Sequence, residues 1–497
     1  MKYNRSLYIH LSKYFVFIFS ITLLVSCADL DQDFAEERYH TASHASAISD
    51  AGGTQGLTAL DGAILSYLRD GETDDRDAEF GLKAVELGMD LRSNDMDMSR
   101  NTWFGAYSNY ENIGLTYFDN DFIWEFFYKV INNANGIINT ISDDAPEEVL
   151  VFKYKSHTYR AIAYFYLVRI YQHTRANDSE EAIPIDFGDF VGQPKSTVSE
   201  VKKLILDDLT LAYNGLENYS RSSKEEIDAT VVAAYLARYY LTYENWSEAE
   251  KFADIAMNVG SISDDVLHGF DELSLSEAIW GSVVTPATSG VYNSFFSHIS
   301  QINDGYSGWN HFKTVNSNLY DMIPASDKRL AWFADQEYPP GTILVPGTWG
   351  HYNKTPKYTS LKFIAQPGPG EFIGDYIYLR NTEFYLTKAE ALAKQGKDGE
   401  AQQVLFDLNT VRDPSYVKST KTGQDLIDEI LLYRRIELWG EGVASFDMAR
   451  NGIGLNRKDG RLNLVMPGAD LVIPAMDEKM IYQIPQREVD ANPNFDD

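Results

Sequence analysis

The sequence predicts a mostly α-helical fold, a scaffold of antiparallel helix pairs interrupted once by a stretch of loops and short strands. Three observations carry this. Apolar residues recur every three to four positions over long stretches, which is the period of one helix face. Two stretches, 228–258 and 379–412, break at a short polar turn and resume with small residues facing back. Between about 264 and 376 the stripes vanish while glycine, proline and aromatics rise, and Trp280, Trp309, Trp332 and Trp349 all fall there. A hydrophobic fraction of 44% supports a real core, and 497 residues suit one large domain or two or three smaller ones.

The elements follow in order. Lys2, Arg5 and Lys13 make the start basic, and Phe15 to Val25 is an apolar run too short to span a bilayer comfortably. The run ends in Leu24-Val25-Ser26-Cys27, which reads as a lipobox, so residues 1–26 are expected to be a lipoprotein signal peptide and Cys27 the lipidated residue. Cys27 is the only cysteine in the chain, whereas a secreted protein using cysteine for structure normally carries pairs. Several acyl chains there would anchor the protein far more firmly than one. Residues 27–56 are small and polar, a flexible tether, and Asp29, Asp31 and Asp33 resemble the tag that sends some Gram-negative lipoproteins to the outer leaflet of the outer membrane.

From residue 57 helical periodicity dominates. Phe122, Phe126, Val130, Ala134 and Ile138 mark one stripe of about five turns. A second helix is expected near 146–173, with Ala161, Tyr164, Phe165, Val168 and Tyr171 on one side, and a third near 197–216. In 228–258 the turn is Asn245-Trp246-Ser247-Glu248-Ala249, and in 379–412 it is Gln395-Gly396-Lys397. Small residues at the crossings and short turns are the tetratricopeptide style of packing, here in pairs that are not in tandem. A last pair is expected near 424–452. The division is a single domain, 57–497, with a helical scaffold at 57–263 and 377–497 and a loop-rich insertion at 264–376.

The formal net charge is −30, and removing residues 1–26 takes away three positive and no negative charges, leaving −33. Such a chain is repelled by phosphate backbones, which excludes nucleic acid as a natural partner. The nine histidines show no metal-ligand spacing and no glycine-rich phosphate loop occurs. No cofactor is expected, although the surface carboxylates leave a structural calcium ion open.

Several blocks together resemble the SusD/RagB family of outer-membrane nutrient-binding lipoproteins. They are Trp124–Ile138 with Phe127-Tyr128, Tyr159-Arg160-Ala161 through Leu167, Tyr378-Leu379-Arg380-Asn381 through Leu386, and above all Arg434-Arg435-Ile436-Glu437-Leu438-Trp439-Gly440-Glu441-Gly442 with Phe446-Asp447 and Arg450. The C-terminal Ile484-Pro485 through Asn492-Pro493 fits as well. Two departures stand out: Gln172-His173-Thr174-Arg175 replaces the usual glycine-rich loop, and the chain stops at Asp497 without the common polar tail. The resemblance implies a SusD-like fold acting as a lid on a TonB-dependent, SusC-like outer-membrane transporter, binding a glycan or another nutrient and doing no chemistry itself. A tetratricopeptide-like scaffold for protein or peptide is the alternative.

Glu437 and Glu441, one helical turn apart, look at first like the carboxylate pair of a retaining glycosidase. The neighbouring Arg434 and Arg435 are expected to hold both ionised, whereas a catalytic acid needs a raised pKa. A structural ion-pair network of Arg434, Arg435, Glu437, Glu441, Asp447 and Arg450 is the better reading, and Arg160, Arg380 and Glu383 are read the same way. For sugar, the chemistry asks for flat aromatic faces beside amides and carboxylates. Two polar-aromatic segments supply these, Asp90 to Tyr117 and Tyr292 to Tyr320. The candidate ligand residues are Asp90, Asn101, Trp103, Tyr107, Tyr292, Tyr306 and Trp309, with Trp349 in a proline-glycine loop. Trp124, Trp246, Trp280 and Trp439 sit in apolar-patterned stretches and are expected in the core.

Overall fold

The computed structural model describes residues 53–495, apart from 72–75, 101, 189–191, 302–304, 346–352, 366–371 and 459–471. The N-terminal half comprises α1 (Thr54–Asp70), α2 (Gly81–Leu91), β1 (Met96–Met98), α3 (Gly105–Asn109), α4 (Phe118–Thr140), α5 (Glu147–Tyr171), β2 (Glu181–Pro184), β3 (Lys195–Thr197), α6 (Val198–Gly215), α7 (Ala229–Thr242) and α8 (Trp246–Met257). The insertion carries β4 (Ala278–Ser282), α9 (Phe295–Ile299), β5 (Lys313–Val315) and α10 (Ser317–Tyr320). The C-terminal part holds β6 (Tyr376–Arg380), α11 (Asn381–Lys394), α12 (Asp398–Arg412), α13 (Gly423–Glu437), α14 (Ala444–Arg450), β7 (Leu455–Asn456), β8 (Val472–Ile473) and α15 (Gln486–Ala491). Among the described residues no helix is long and apolar enough to cross a membrane.

Local chemistry sets the helix starts. Thr197 and Glu200 close a capping box on α6, and the side chains of Asp228 and Asn245 accept the first free N–H groups of α7 and α8. Each such cap contributes about 1 kcal/mol. Pro146 precedes α5, with Glu147 and Glu148 complementing the dipole of its first turn.

The helix pairs, distant in sequence, stack in tandem in space. α4 packs on α5, α5 on α6, α6 on α7 and α7 on α8, and α8 then packs directly on α11, which packs on α12 and α13. The insertion is therefore looped out between two adjacent layers of one stack. Its root is pinned by antiparallel pairing of β4 with β6, Ala278 opposite Arg380 and Ser282 opposite Tyr376. Residues 376–380 are thus a strand, and the helix begins only at Asn381. Trp280 and Trp439 are fully buried, Trp124 is buried, and Trp246 is half-buried against the crossing of α7, α8 and α11.

Helix α2 ends where the polar-aromatic segment from Asp90 begins. Every one of its residues is buried, including Lys83, Glu86 and Asp90. A helix covered on all sides needs no polar face and shows no stripe. Its polar groups are matched inside: Lys83 Nζ donates to Glu86 at 2.7 Å, and Tyr166 Oη donates to the other Glu86 oxygen at 2.9 Å.

Candidate functional site

Three residues of β1 pair antiparallel with three of β5, Met96 opposite Val315, Asp97 opposite Thr314 and Met98 opposite Lys313. Ser99 extends the seam, its N–H donating to the Phe312 carbonyl and its hydroxyl to that of Asn310. This short ladder brings the two polar-aromatic segments side by side although about two hundred positions separate them. The loops that follow β1 and precede β5 then meet.

At the meeting point lies a cluster of rings centred on Tyr306. Phe80, His298, Tyr306 and His311 form a column of nearly parallel rings, with centroids 5.3, 4.9 and 5.8 Å apart. Trp103, Tyr292 and Trp309 stand edge-on to Tyr306 at 5.6, 5.7 and 6.2 Å. Tyr292 also touches Trp309 at 5.5 Å and Phe372 at 5.4 Å. Aromatic pairs of this geometry contribute about 0.5–1.5 kcal/mol each beyond area burial, so the rings hold one another in place. Trp103, Tyr292 and Tyr306 are half-buried, and Trp309 is 39% exposed. The result is a braced platform with one indole open to solvent.

The column is kept neutral. Burial pushes the His298 imidazole far below its ordinary pKa, and burial with nearby Lys313 and Arg100 brings His311 down to about 4. His298 Nε2 lies 2.7 Å from the Asp77 carbonyl, which fixes a neutral imidazole as donor there. Tyr306 Oη donates to the Asp77 carboxylate, and burial with that acidic neighbour raises the phenol to about 12. Lys313 is wholly buried beneath, its ammonium donating to the His311 carbonyl at 3.2 Å, and burial lowers it to about 7.

Backbone strain collects here too. Phe104, Val291, Asn310 and Phe372 have positive φ, four of the eight non-glycine residues so disposed among the described residues. For β-branched Val291 this is a true outlier. Strain of this kind costs on the order of 1–3 kcal/mol per residue and gathers where a surface must be held in one shape.

Not every candidate residue faces this platform. Asp90 is 1% exposed; its carboxylate accepts the N–H groups of Gly442 at 2.9 Å and Ala444 at 3.2 Å, tying α2 to the start of α14. Burial raises it to about 7. Tyr107 is also 1% exposed, packed against Phe104 at 5.4 Å. Both expectations are corrected: side chains closed off from solvent offer no surface to a sugar. Asn101, Trp349 and Cys27 lie outside the described residues. Sequence reasoning missed Asp77, His298 and Phe372, which brace the rings from distant positions and carry no local signal.

The arginine–glutamate block has a different wiring from the one expected. Glu437 is fully buried and accepts from Arg329 Nη1 at 3.1 Å, Arg380 Nη1 at 3.0 Å, and Arg412 Nε and Nη2 at 3.1 and 2.8 Å. Glu441 accepts from Arg380 Nε at 2.8 Å and Nη2 at 2.7 Å, and from Lys362 at 2.5 Å. Although burial opposes it, these cations hold Glu437 well below the usual carboxylate range and Glu441 at about 2. Arg434 and Arg435 point elsewhere. Arg434 joins α13 to α14 through Asp447 at 2.6 Å, Arg450 bridges Asp447 at 2.8 Å and Glu390 at 2.5 Å, and Arg435 reaches Asp95 at 2.6 Å. Arg160 pairs with Asp208, and Glu383 with Arg238. The carboxylates are ionised as expected, but by arginines from β6, α12 and the insertion. Among the described residues no group of three or more His, Cys, Asp or Glu is placed to hold a metal ion.

No curated protein matches the chain. A family model described as the SusD family matches residues 351–496, and another, described as starch-binding associating with outer membrane, matches residues 79–241. The chain is a SusD-like protein. Its fold is similar to that of a SusD-like carbohydrate-binding protein from Bacteroides vulgatus, with a TM-score of 0.76 and 23% identity over 89% of this chain and 97% of that one. A SusD superfamily protein from Bacteroides thetaiotaomicron gives 0.73 and 22% over 89% and 99%, and a laminarin-binding SusD-like protein gives 0.66 and 18% over 89% and 99%. At these identities the likeness is one of fold. The starch-binding description spans Trp103 and the first of the two segments that meet at Tyr306.

Proposed function

We propose that this SusD-like protein is a lipid-anchored outer-membrane lipoprotein that binds a glycan on the aromatic platform and delivers it to a TonB-dependent, SusC-like transporter. The observation that carries this is the convergence of Trp103, Tyr292, Tyr306 and Trp309, from two distant segments, into one braced cluster with Trp309 open to solvent. Sugars present flat apolar C–H faces edged by hydroxyls. Rigid aromatic faces receive the former, and their fixed geometry lowers the ordering cost of binding. The family's starch-binding description and a laminarin-binding neighbour of the same fold support a glycan as ligand.

The protein acts by binding, not by hydrolysis. Its one tempting carboxylate pair, Glu437 and Glu441, is locked as anions among arginines, without the raised pKa that a general acid requires. Lipid on Cys27 would hold the protein beside its transporter, where high local concentration lets a modest affinity suffice. Calorimetric titration of the purified protein against a panel of soluble α- and β-glucans and other polysaccharides tests the reading. Saturable binding to at least one glycan, with no release of reducing ends, is expected. No binding across the panel together with capture of peptides would overturn it in favour of the scaffold alternative.

A further inference from the structure

Away from the platform, a second feature stands apart in this acidic chain. A cavity of about 30 Å³ lies where α5, α7, α11 and the α13–α14 junction meet, and it is lined by four arginines, Arg169, Arg238, Arg434 and Arg450. Three are matched. Arg238 forks onto Glu383 at 2.8 and 2.7 Å, Arg434 bonds Asp447 at 2.6 Å, and Arg450 forks onto Glu390 at 2.5 and 2.7 Å. Four guanidinium groups thus meet three carboxylates, and the odd cation is Arg169.

Arg169 is held rather than loose. Its guanidinium carbon sits 3.6 Å from the centroid of Phe165 and 4.1 Å from that of Phe446. Its Nε donates to the Phe165 carbonyl at 2.7 Å. With its Nε tied and Phe165 and Phe446 packed against it, its two Nη groups have no acceptor among the described residues, and it makes no ion pair there. Burial lowers its pKa to about 10, which still leaves it charged at neutral pH. The side chain is half-buried at the cavity wall, so it has lost part of its hydration without gaining a counter-charge among the described residues. A rigid fork of N–H donors is the arrangement that matches an oxyanion.

The geometry points to this cavity as a binding site for a small oxyanion of the sulfate, phosphate or carboxylate class, held chiefly by the Nη edge of Arg169. The volume takes two or three water-sized groups, which fits such an ion and excludes a sugar ring. Bound there, the anion would complete the charge balance where α5 and α7 meet α11, α13 and α14. This site is independent of the glycan platform.

Sodium sulfate is the probe, with sodium chloride at equal ionic strength as the reference. With 20 mM sulfate the purified protein should melt about 1–2 °C higher than in the reference. In Arg169→Gln that increment should vanish, and in Arg169→Lys, which keeps the charge and loses the fork, it should shrink. A second measurement needs no variant. The rate at which an arginine-specific dione modifies Arg169, followed by mass spectrometry, should fall about threefold or more in sulfate. An equal increment in the parent and in Arg169→Gln, or a modification rate indifferent to sulfate, would overturn the assignment.

Discussion

Replacing Glu437 by glutamine keeps the shape of the side chain and removes one charge from the centre of the C-terminal core. The carboxylate accepts four N–H bonds from three arginines, all fully buried. Around it, Arg329, Arg380, Arg412 and Lys362 are balanced by Asp327, Glu277, Glu437 and Glu441, four charges of each sign. Glutamine leaves four cations against three anions and turns an N–H toward guanidinium donors. Breaking one partner of a buried, hydrogen-bonded charge cluster costs about 3–5 kcal/mol. With a urea m value of about 3 kcal/mol/M, the midpoint should drop by about 1–1.7 M. Equilibrium urea unfolding followed by circular dichroism, parent against Glu437→Gln, reads this directly. A midpoint within about 0.3 M of the parent would refute the claim that Glu437 is a structural anion.

The same network makes an acid prediction. Glu441 is held at about 2 against an ordinary 4.5, so its contribution is fully present above pH 4.5 and is lost as pH falls through about 2. In Glu441→Gln the loss of stability relative to the parent should therefore narrow over that window, read from melting temperatures between pH 5 and pH 2.5. Lys313 has the opposite sense. Folded, it gives up its proton near 7, whereas unfolded it keeps it to its ordinary 10.5, so folding gains stability as pH rises from 7 to 10.5. Lys313→Met should be more stable than the parent at pH 7, by up to on the order of 4 kcal/mol, with the gain shrinking toward pH 10; a gain independent of pH would contradict the buried-charge argument. Cys27→Ser should leave glycan binding in solution intact and remove the protein from the outer-membrane fraction; continued co-fractionation would show that partner contacts, not lipid, provide the anchor.

Helix α4 was legible because it buries one face and leaves Lys129, Asn133 and Asn139 toward solvent, so Phe122, Phe126, Val130, Ala134 and Ile138 wrote their own stripe into it. Helix α2 was not, because burial on all sides erases the period, and Asp90 at its end, a ligand candidate by its polar-aromatic surroundings, is an internal staple. The short turns at 245 and 395 marked two helix pairs, but their stacking through α8 and α11 depends on contacts across the insertion that no local pattern encodes. The charge of the arginine–glutamate block could be foreseen and its partners could not: Arg329, Arg380 and Arg412 arrive from separate elements, while the sequence neighbours Arg434 and Arg435 turn away. Composition marked the two aromatic segments. What joins them is a three-residue ladder of Met96–Met98 with Lys313–Val315, too short to leave an alternating pattern of its own. Tyr107, as aromatic as Trp103 and four residues on, faces the core, a distinction set by the Phe104 turn and its positive φ.

The central claim is that the platform around Tyr306 holds the glycan, and the direct measurement is affinity of the parent and of Trp103→Ala, Trp309→Ala and the double variant for the glycan that the parent binds best. Trp246→Phe, half-buried at a helix crossing away from the platform, serves as the control. Truncating an aromatic anchor at the centre of a binding surface costs about 2 kcal/mol or more, so Trp309→Ala should weaken binding by about thirtyfold and the double variant should not bind detectably, with the control unchanged. Unchanged affinity in both single variants and in the double variant, with folding intact, would contradict the account and place the ligand elsewhere.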